Sequence, residues 1–494
     1  MIAILLITSS VSSLFSQTGY TGSIGTVRDL PNDWWGLNAH DITHDDFELG
    51  ADVSNPALHS IIDNWKKTKT GTLRYPGDGD VNDWDWLTGY YLTHGLYPPV
   101  HGQFDLDLHA NTYFDLRRVT NTMGAKITFA LNPLSSNINY QLAGLKLAQS
   151  LRFDINRIEL GEELFGKSPL NQNSFETAAE YGTLCSDWID ELHSANNFPL
   201  AKIAVVGAAT AGDVRKIGWN VDLLTSPALE NKNIDAVTIH FYPDSGLEPG
   251  GTVTTDEMPT LFDNCYDEAE CLEADIAQIQ KIKPATEIWI TEYNLTENSK
   301  VIHGSWAHAL FTTLQTMLMM QEENITHATL QNASSDGVRG LLFERLDGLD
   351  KKAYGNFPAP HDCSGCTTNV QWDYTALGNS MRLFATAIRG MTNAAPVDFV
   401  AAPYFGDDPN HKKIYAWIFA DNIDVANATT RSAIILNLDE IEQYVDLSVF
   451  NVTDGQFEQL FNYDPAVFAG GSAVYGAIPA DPVFIQGFPY NPYD

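Results

Sequence analysis

The chain has 494 residues, of which 28 are basic and 63 acidic, giving a formal charge of −35. That balance excludes a general nucleic-acid binder and disfavours anionic membranes and polyanionic ligands, all of which need clustered Lys and Arg. A hydrophobic fraction of 44% with 11% aromatics excludes a disordered chain and suffices for one large barrel plus a satellite domain.

The first element is an apolar run from Ile2 to Ile7 that fades into small residues near Ser16. It is too short to cross a bilayer and predicts a secretory signal over 1–16 and a secreted protein with no membrane insertion; a buried first strand is the alternative. From about residue 34, β-rich runs alternate with helical ones. The predicted strands are WWGLNA (34–39), GTLRYP (71–76), AKITFAL (125–131), NRIEL (156–160), KIAVVGA (202–208), DAVTIHFY (235–242), EIWITEY (287–293) and THATLQN (326–332). Several are apolar on both faces, as parallel strands covered by helices are. Helical periodicity marks 176–193, where Ala179, Leu184, Trp188 and Leu192 fall near one face, and also 268–282 and 306–321; the character of the chain changes after 375–394. Eight strands alternating with helices predict a (β/α)8 TIM barrel over 17–390. The rival doubly wound sheet lacks its GxGxxG turn. Beyond residue 390, DFVAAPYF, KIYAWIFA, SAIILNL, QYVDLSVF and FEQLFNY predict an antiparallel β-sandwich over 391–494.

Cys265 with Cys271 and Cys363 with Cys366 are close enough in sequence to form local disulfides in an exported chain, and Cys185 reads as a buried free thiol. Zinc binding by HDCSGC (361–366) lacks a second ligand pair. Sequons begin at Asn294, Asn324, Asn332, Asn427 and Asn451, which permits glycosylation without requiring it.

Active sites of such barrels form where strands end. In RIELGEELF (157–165), Gly161 breaks the strand before Glu162 and Glu163; clustered acids there would raise at least one pKa, as a proton donor needs, although a solvated acidic loop reads the same. In IWITEYNL (288–295), Glu292 ends a buried strand, where it needs partners, catalytic or merely structural. Two carboxyls flanking one bond are what glycoside cleavage uses. Strands four and seven would face them across the mouth. Arg74 could hold Glu292 ionised, and His240 and Tyr242 share a strand face from which either could reach the nucleophile or a sugar hydroxyl. Asn132, Trp35 and Trp84 complete the candidate substrate-binding set; Trp84 lies in DVNDWDW (80–86), where indoles beside acids suit sugar stacking but equally suit a core.

The pieces LRYPGDGDVNDWDW (73–86), IELGEELF (158–165), VTIHFYP (237–243), WITEYNL (289–295) and, more weakly, HATLQNAS (327–334) resemble the retaining glycoside hydrolases of the large (β/α)8 clan. Within that clan they are most similar to the α-L-arabinofuranosidase and heparanase–β-glucuronidase type families, whose layout is a barrel followed by a β-sandwich. The resemblance implies that Glu163 is the acid/base, Glu292 the nucleophile and Arg74 its neighbour, with His240 and Tyr242 as the strand-six His-x-Tyr. It implies an oligosaccharide or polysaccharide substrate and no metal or organic cofactor. Retention would set the two carboxyls about 5–5.5 Å apart. Two departures stand out. Glu162 occupies the place of an Asn that binds the sugar 2-hydroxyl, and PGDGD replaces a PGG run. The first leaves open a catalytically impaired carbohydrate-binding protein. An adhesion or matrix role seated in 391–494 is a third reading.

Overall fold

A computed structural model describes residues 3–6, 20–39, 65–68, 70–77, 79–87, 90–91, 113–166, 168–209, 215–247, 257–296, 302–303, 306–331, 333, 340–346, 370–439, 447–450 and 456–458. Eight parallel strands close into a barrel: β1 (Trp35–Asn38), β2 (Thr72–Tyr75), β3 (Lys126–Ala130), β4 (Arg157–Glu159), β5 (Lys202–Val206), β6 (Ala236–Phe241), β7 (Glu287–Tyr293) and β8 (Ile325–Leu330). Each pairs with the next and β8 pairs with β1. All eight lie within or across the predicted runs. β1, β2 and β6 are buried along their whole length, because helices cover one face and the barrel interior the other.

Low in the barrel, Trp289 fills the space left by Ala204 and Ala236. His327 bonds Thr128 at 3.2 Å and the Asp33 carbonyl at 3.3 Å. Burial, with Arg157 nearby, lowers its pKa to about 3, so this end is closed by a neutral imidazole. Asp33 closes the same end by bridging Lys126 and Arg157, each at 2.9 Å.

The outer helices include α1 (Tyr113–Met123), α2 (Ile138–Ser150), α3 (Ala178–Leu192), α4 (Trp219–Leu224), α5 (Met258–Ile282), α6 (Trp306–Met319) and α7 (Ala376–Ile388). A capping box between Thr177 and Glu180 starts α3. Its buried face carries Ala178, Tyr181, Cys185, Trp188 and Leu192 rather than Ala179 and Leu184, since the first set keeps the three- and four-residue spacing throughout. Helix α5 begins ten residues ahead of the predicted start. Cys265 and Cys271 both lie on it as free cysteines, one buried and one exposed. Six helical residues advance the chain by about 9 Å, beyond disulfide reach, so the expected bridge does not form. Cys185 is a buried free thiol, and 361–366 lies outside the described residues.

A seven-stranded sheet follows the barrel, centred on β9 (Asn393–Phe399), β10 (Ile414–Ala420) and β11 (Arg431–Asn437), which are antiparallel. Gly22–Ile24 and Arg28–Asp29 pair with β9, and Ala3–Leu6 lies parallel to β11 and to Gln456–Glu458. The sheet therefore draws strands from both ends of the chain, not from 391–494 alone. Strand β10 is buried on both faces: Tyr415, Trp417 and Phe419 join the barrel core, while Ile414, Ala416 and Ile418 build a separate one with Phe399 and Phe450. Two predicted strands differ. DFVAAPYF contributes only its first two residues to β9, because the chain turns at Ala401, whose φ is 59°. In QYVDLSVF, Leu447–Phe450 forms a 3-10 turn.

Candidate active site

Strand ends β2, β4, β6 and β7 bring their polar side chains to one rim. Arg74, fully buried at the end of β2, is the hub. Its Nε donates to Glu159 Oε2 at 2.6 Å, Nη1 to Glu292 Oε1 at 2.7 Å and Nη2 to Glu162 Oε2 at 3.1 Å. Three carboxylates around one guanidinium hold it charged against the pull of burial, which acts the other way. Thr291 donates to the remaining oxygen of Glu159 at 2.9 Å, so Glu159 belongs to the scaffold beneath the site.

Glu292 is 3% exposed and is held by four groups. Besides Arg74, Asn38 donates to Oε1 at 2.9 Å, the Tyr242 hydroxyl donates to Oε2 at 2.6 Å, and His240 Nδ1 lies 3.4 Å from Oε2. Donors on both oxygens favour the ionised form and fix the rotamer. The same His240 nitrogen lies 3.0 Å from Glu163 Oε1. The two carboxylate oxygens are therefore within the sum of these contacts of each other, with one imidazole between them. A register shift between β6 and β7 at Ile239/His240 sets His240 opposite Glu292.

The Glu163 side chain is 46% exposed, whereas His240 is 4% exposed. Its projection follows from two left-handed residues, Gly161 with φ 110° and Glu163 with φ 40°. A Cβ at Gly161 would come within 2.8 Å of Pro133, so glycine is required there by space as well as by angle. A non-glycine residue in the left-handed region is strained, by about 1–2 kcal/mol.

The clustered acids do not raise Glu163 as the sequence suggested. Burial alone would raise it, but the hydrogen bond and charge of His240, helped by Lys216 and Arg74, outweigh that and leave it below the usual carboxylate range. Burial pushes His240 down, yet the charge of Glu292 and the bond to Glu163 carry it above its ordinary value. Both directions favour an ionised Glu163 beside a protonated His240 in the free site.

Glu163, Glu292, Arg74, Glu162, His240 and Tyr242 are brought together. Three candidates are not. Trp35 faces outward: its indole donates to the Tyr293 hydroxyl at 2.8 Å and its ring meets Phe384 of α7 edge-on. Strand alternation explains this, because Gly36 and Asn38 take the inward positions. Trp84 is buried edge-on against Tyr75. Asn132 bonds Trp84, Leu134 and Ser135 and ties down its own loop. Asn38 was missed, although it shares the inward parity of a strand end with a polar side chain. Glu162, His240 and Glu292 offer ligand atoms within 4.8 Å of one another, but Arg74 already neutralises both carboxylates, so a cation there would compete with it. Of the sequons, Asn294 is fully buried while Asn324 and Asn427 are exposed.

No protein-family model and no curated protein sequence matches the chain. Solved structures do. A family 51 α-L-arabinofuranosidase from Bifidobacterium longum aligns over 86% of this chain and 86% of its own at 14% identity, with a TM-score of 0.62. The GH51 arabinofuranosidase from Xanthomonas axonopodis pv. citri covers 86% of each chain at 12% identity and TM-score 0.59. A 4-O-α-L-rhamnosyl-β-D-glucuronidase from Fusarium oxysporum 12S covers 81% of this chain and 78% of its own at 12% identity and TM-score 0.50. At these identities the likeness establishes the fold: a (β/α)8 barrel of the kind that glycoside hydrolases use.

Proposed function

We propose that this chain is a retaining glycoside hydrolase acting on an oligosaccharide or polysaccharide. The observation that carries the reading is the placing of Glu163 and Glu292 on one histidine nitrogen, at 3.0 and 3.4 Å, on the rim where β4 and β7 end. These contacts cap the gap between the facing oxygens at their sum, which admits the ~5–5.5 Å of retaining enzymes and reaches only the short edge of the ~6.5–9.5 Å that inverting enzymes leave for a water. Glu292, ionised and fixed by Arg74, Asn38 and Tyr242, attacks the anomeric carbon. Glu163 takes a proton from His240, gives it to the departing oxygen, and then accepts one from the incoming water. The similarity of the barrel to that of arabinofuranosidases and a glucuronidase supports a sugar substrate.

Glu162 favours a second reading, a carbohydrate-binding protein with impaired turnover, because it sets a further carboxylate beside Glu163 where an amide is usual. One experiment separates the two. An activated 2-deoxy-2-fluoro glycoside panel, read by peptide mass, should label Glu292 covalently, and Glu292→Gln should cut turnover on the order of 10⁴-fold with the fold intact. Glycan binding with no label and no reducing-sugar release would instead support the impaired protein. Secretion belongs to the same proposal and rests on the apolar run from Ile2 to Ile7; the pairing of Ala3–Leu6 with β11 favours instead the alternative of a first strand kept in the sheet, and amino-terminal sequencing of exported protein separates the two.

A further inference from the structure

Helix α5 and the loop between β9 and β10 meet around His411, at a cluster that shares no residue with the proposed hydrolysis. We propose that Glu270, Asp408 and His411 form a divalent transition-metal site that clamps the barrel to the sheet, with Asp263 orienting the imidazole.

The imidazole is only 6% exposed. Its Nδ1 lies 2.6 Å from Asp263 Oδ1 and donates to it. Nε2 is buried, makes no hydrogen bond of good geometry, and faces Glu270 Oε1 at 3.5 Å and Asp408 Oδ2 at 4.0 Å. Burial pulls the imidazole down, but Asp263, Glu270 and Asp408 carry its pKa above the ordinary value, so the three carboxylates favour a positive charge at this place; a metal ion would displace the Nε2 proton and put its own charge between the same groups. The ligand atoms lie within 4.8 Å of one another. Tetrahedral zinc, with bonds of about 2.0–2.1 Å, spaces its ligands about 3.4 Å apart, so the Glu270 contact needs almost no movement and the Asp408 contact a small one. Carboxylate, imidazole and metal in line is a recurring arrangement that fixes both tautomer and ring orientation.

The surroundings hold these groups in place. Asp263 and Glu270 stand seven residues, two turns, apart on α5 and so share a face. Tyr266, between them, stacks on the His411 ring at 4.8 Å and 11° and donates to the Lys412 carbonyl at 2.8 Å. Asp408 Oδ1 accepts from the Asn410 amide at 2.8 Å, turning Oδ2 towards the imidazole. Glu270 is 58% and Asp408 42% exposed, which gives an ion an entry path and leaves a position for water. The mixed nitrogen and oxygen donors select zinc or manganese over calcium, which prefers oxygen alone.

The test uses tag-free full-length protein stripped with EDTA and titrated with zinc chloride by calorimetry, with melting temperature as a second readout. One Zn²⁺ per chain should bind and raise the melting temperature. Asp263→Asn should weaken binding by about 10–100-fold. His411→Gln and, on an exposed side chain that the fold does not need, Glu270→Gln should abolish the zinc-dependent rise; Glu292→Gln should keep it. No zinc binding, zinc binding unchanged in both His411→Gln and Glu270→Gln, or an equal rise with calcium would overturn the assignment. A protonated His411 held by the carboxylates alone gives the first of these results.

Discussion

Arg74→Met tests the electrostatic design of the site most directly. The wild-type guanidinium is fully buried and contacts Glu159, Glu292 and Glu162 at 2.6, 2.7 and 3.1 Å. Methionine approximates the volume and removes the charge, leaving three buried carboxylates without their cation. Breaking one buried pair in this way costs about 3–5 kcal/mol, and the mutual repulsion of the survivors puts the loss at the upper end. The chain can relieve it only by protonating one or more carboxylates. Their folded pKa then rises above the unfolded value of about 4.3. A raised folded pKa gives stability that is present below the unfolded pKa and is lost as pH rises through the folded one. The deficit against wild type should therefore be greatest at pH 7 and shrink towards pH 4.5, by about 1.4 kcal/mol for each unit of upward shift. Urea unfolding of both proteins at the two pH values measures it. A deficit under ~1 kcal/mol at pH 7, or one that does not change with pH, would refute the claim that Arg74 neutralises the cluster. The same variant should move the acidic limb of the rate profile upward, because Glu292 must be ionised to attack.

Glu163→Gln should slow hydrolysis of natural glycosides by about 10²–10⁴-fold but slow an aryl glycoside with a good leaving group far less, since only the former needs a proton donor; steady-state rates on both substrates check this. His240→Asn removes the partner that lowers Glu163 and stores its proton. In wild type His240 keeps its proton to above the ordinary histidine pKa of 6.5, so the basic limb should fall to lower pH in the variant, as a kcat/KM profile would show. Glu162→Asn restores a neutral amide beside Glu163. It should raise kcat/KM for substrates with a free 2-hydroxyl relative to their 2-deoxy counterparts, and an unchanged ratio would place Glu162 away from the sugar.

The order of elements was legible in the sequence because parallel strands buried on both faces leave continuous apolar runs, and because a carboxylate ending such a run stands out against it. All eight barrel strands, and Glu163, Glu292, Arg74, His240 and Tyr242 at their ends, could be picked out on that ground. What one strand's pattern cannot carry is which alternate residue faces inward. Trp35 and Asn38 belong to the same short run, and only closure of the barrel sent the indole to α7 and the amide to Glu292. Protonation was equally out of reach. A cluster of acids reads as mutual repulsion, whereas the folded chain inserts Arg74 and His240 among them from strands distant in sequence and reverses the sign for Glu163. The pairing of residues 22–29 with β9, and the meeting of α5 with the loop around His411, are likewise contacts between segments far apart in sequence. Local composition fixes the period and burial of each segment; the charge state and neighbours of a side chain are set by what folding brings within a few ångströms of it.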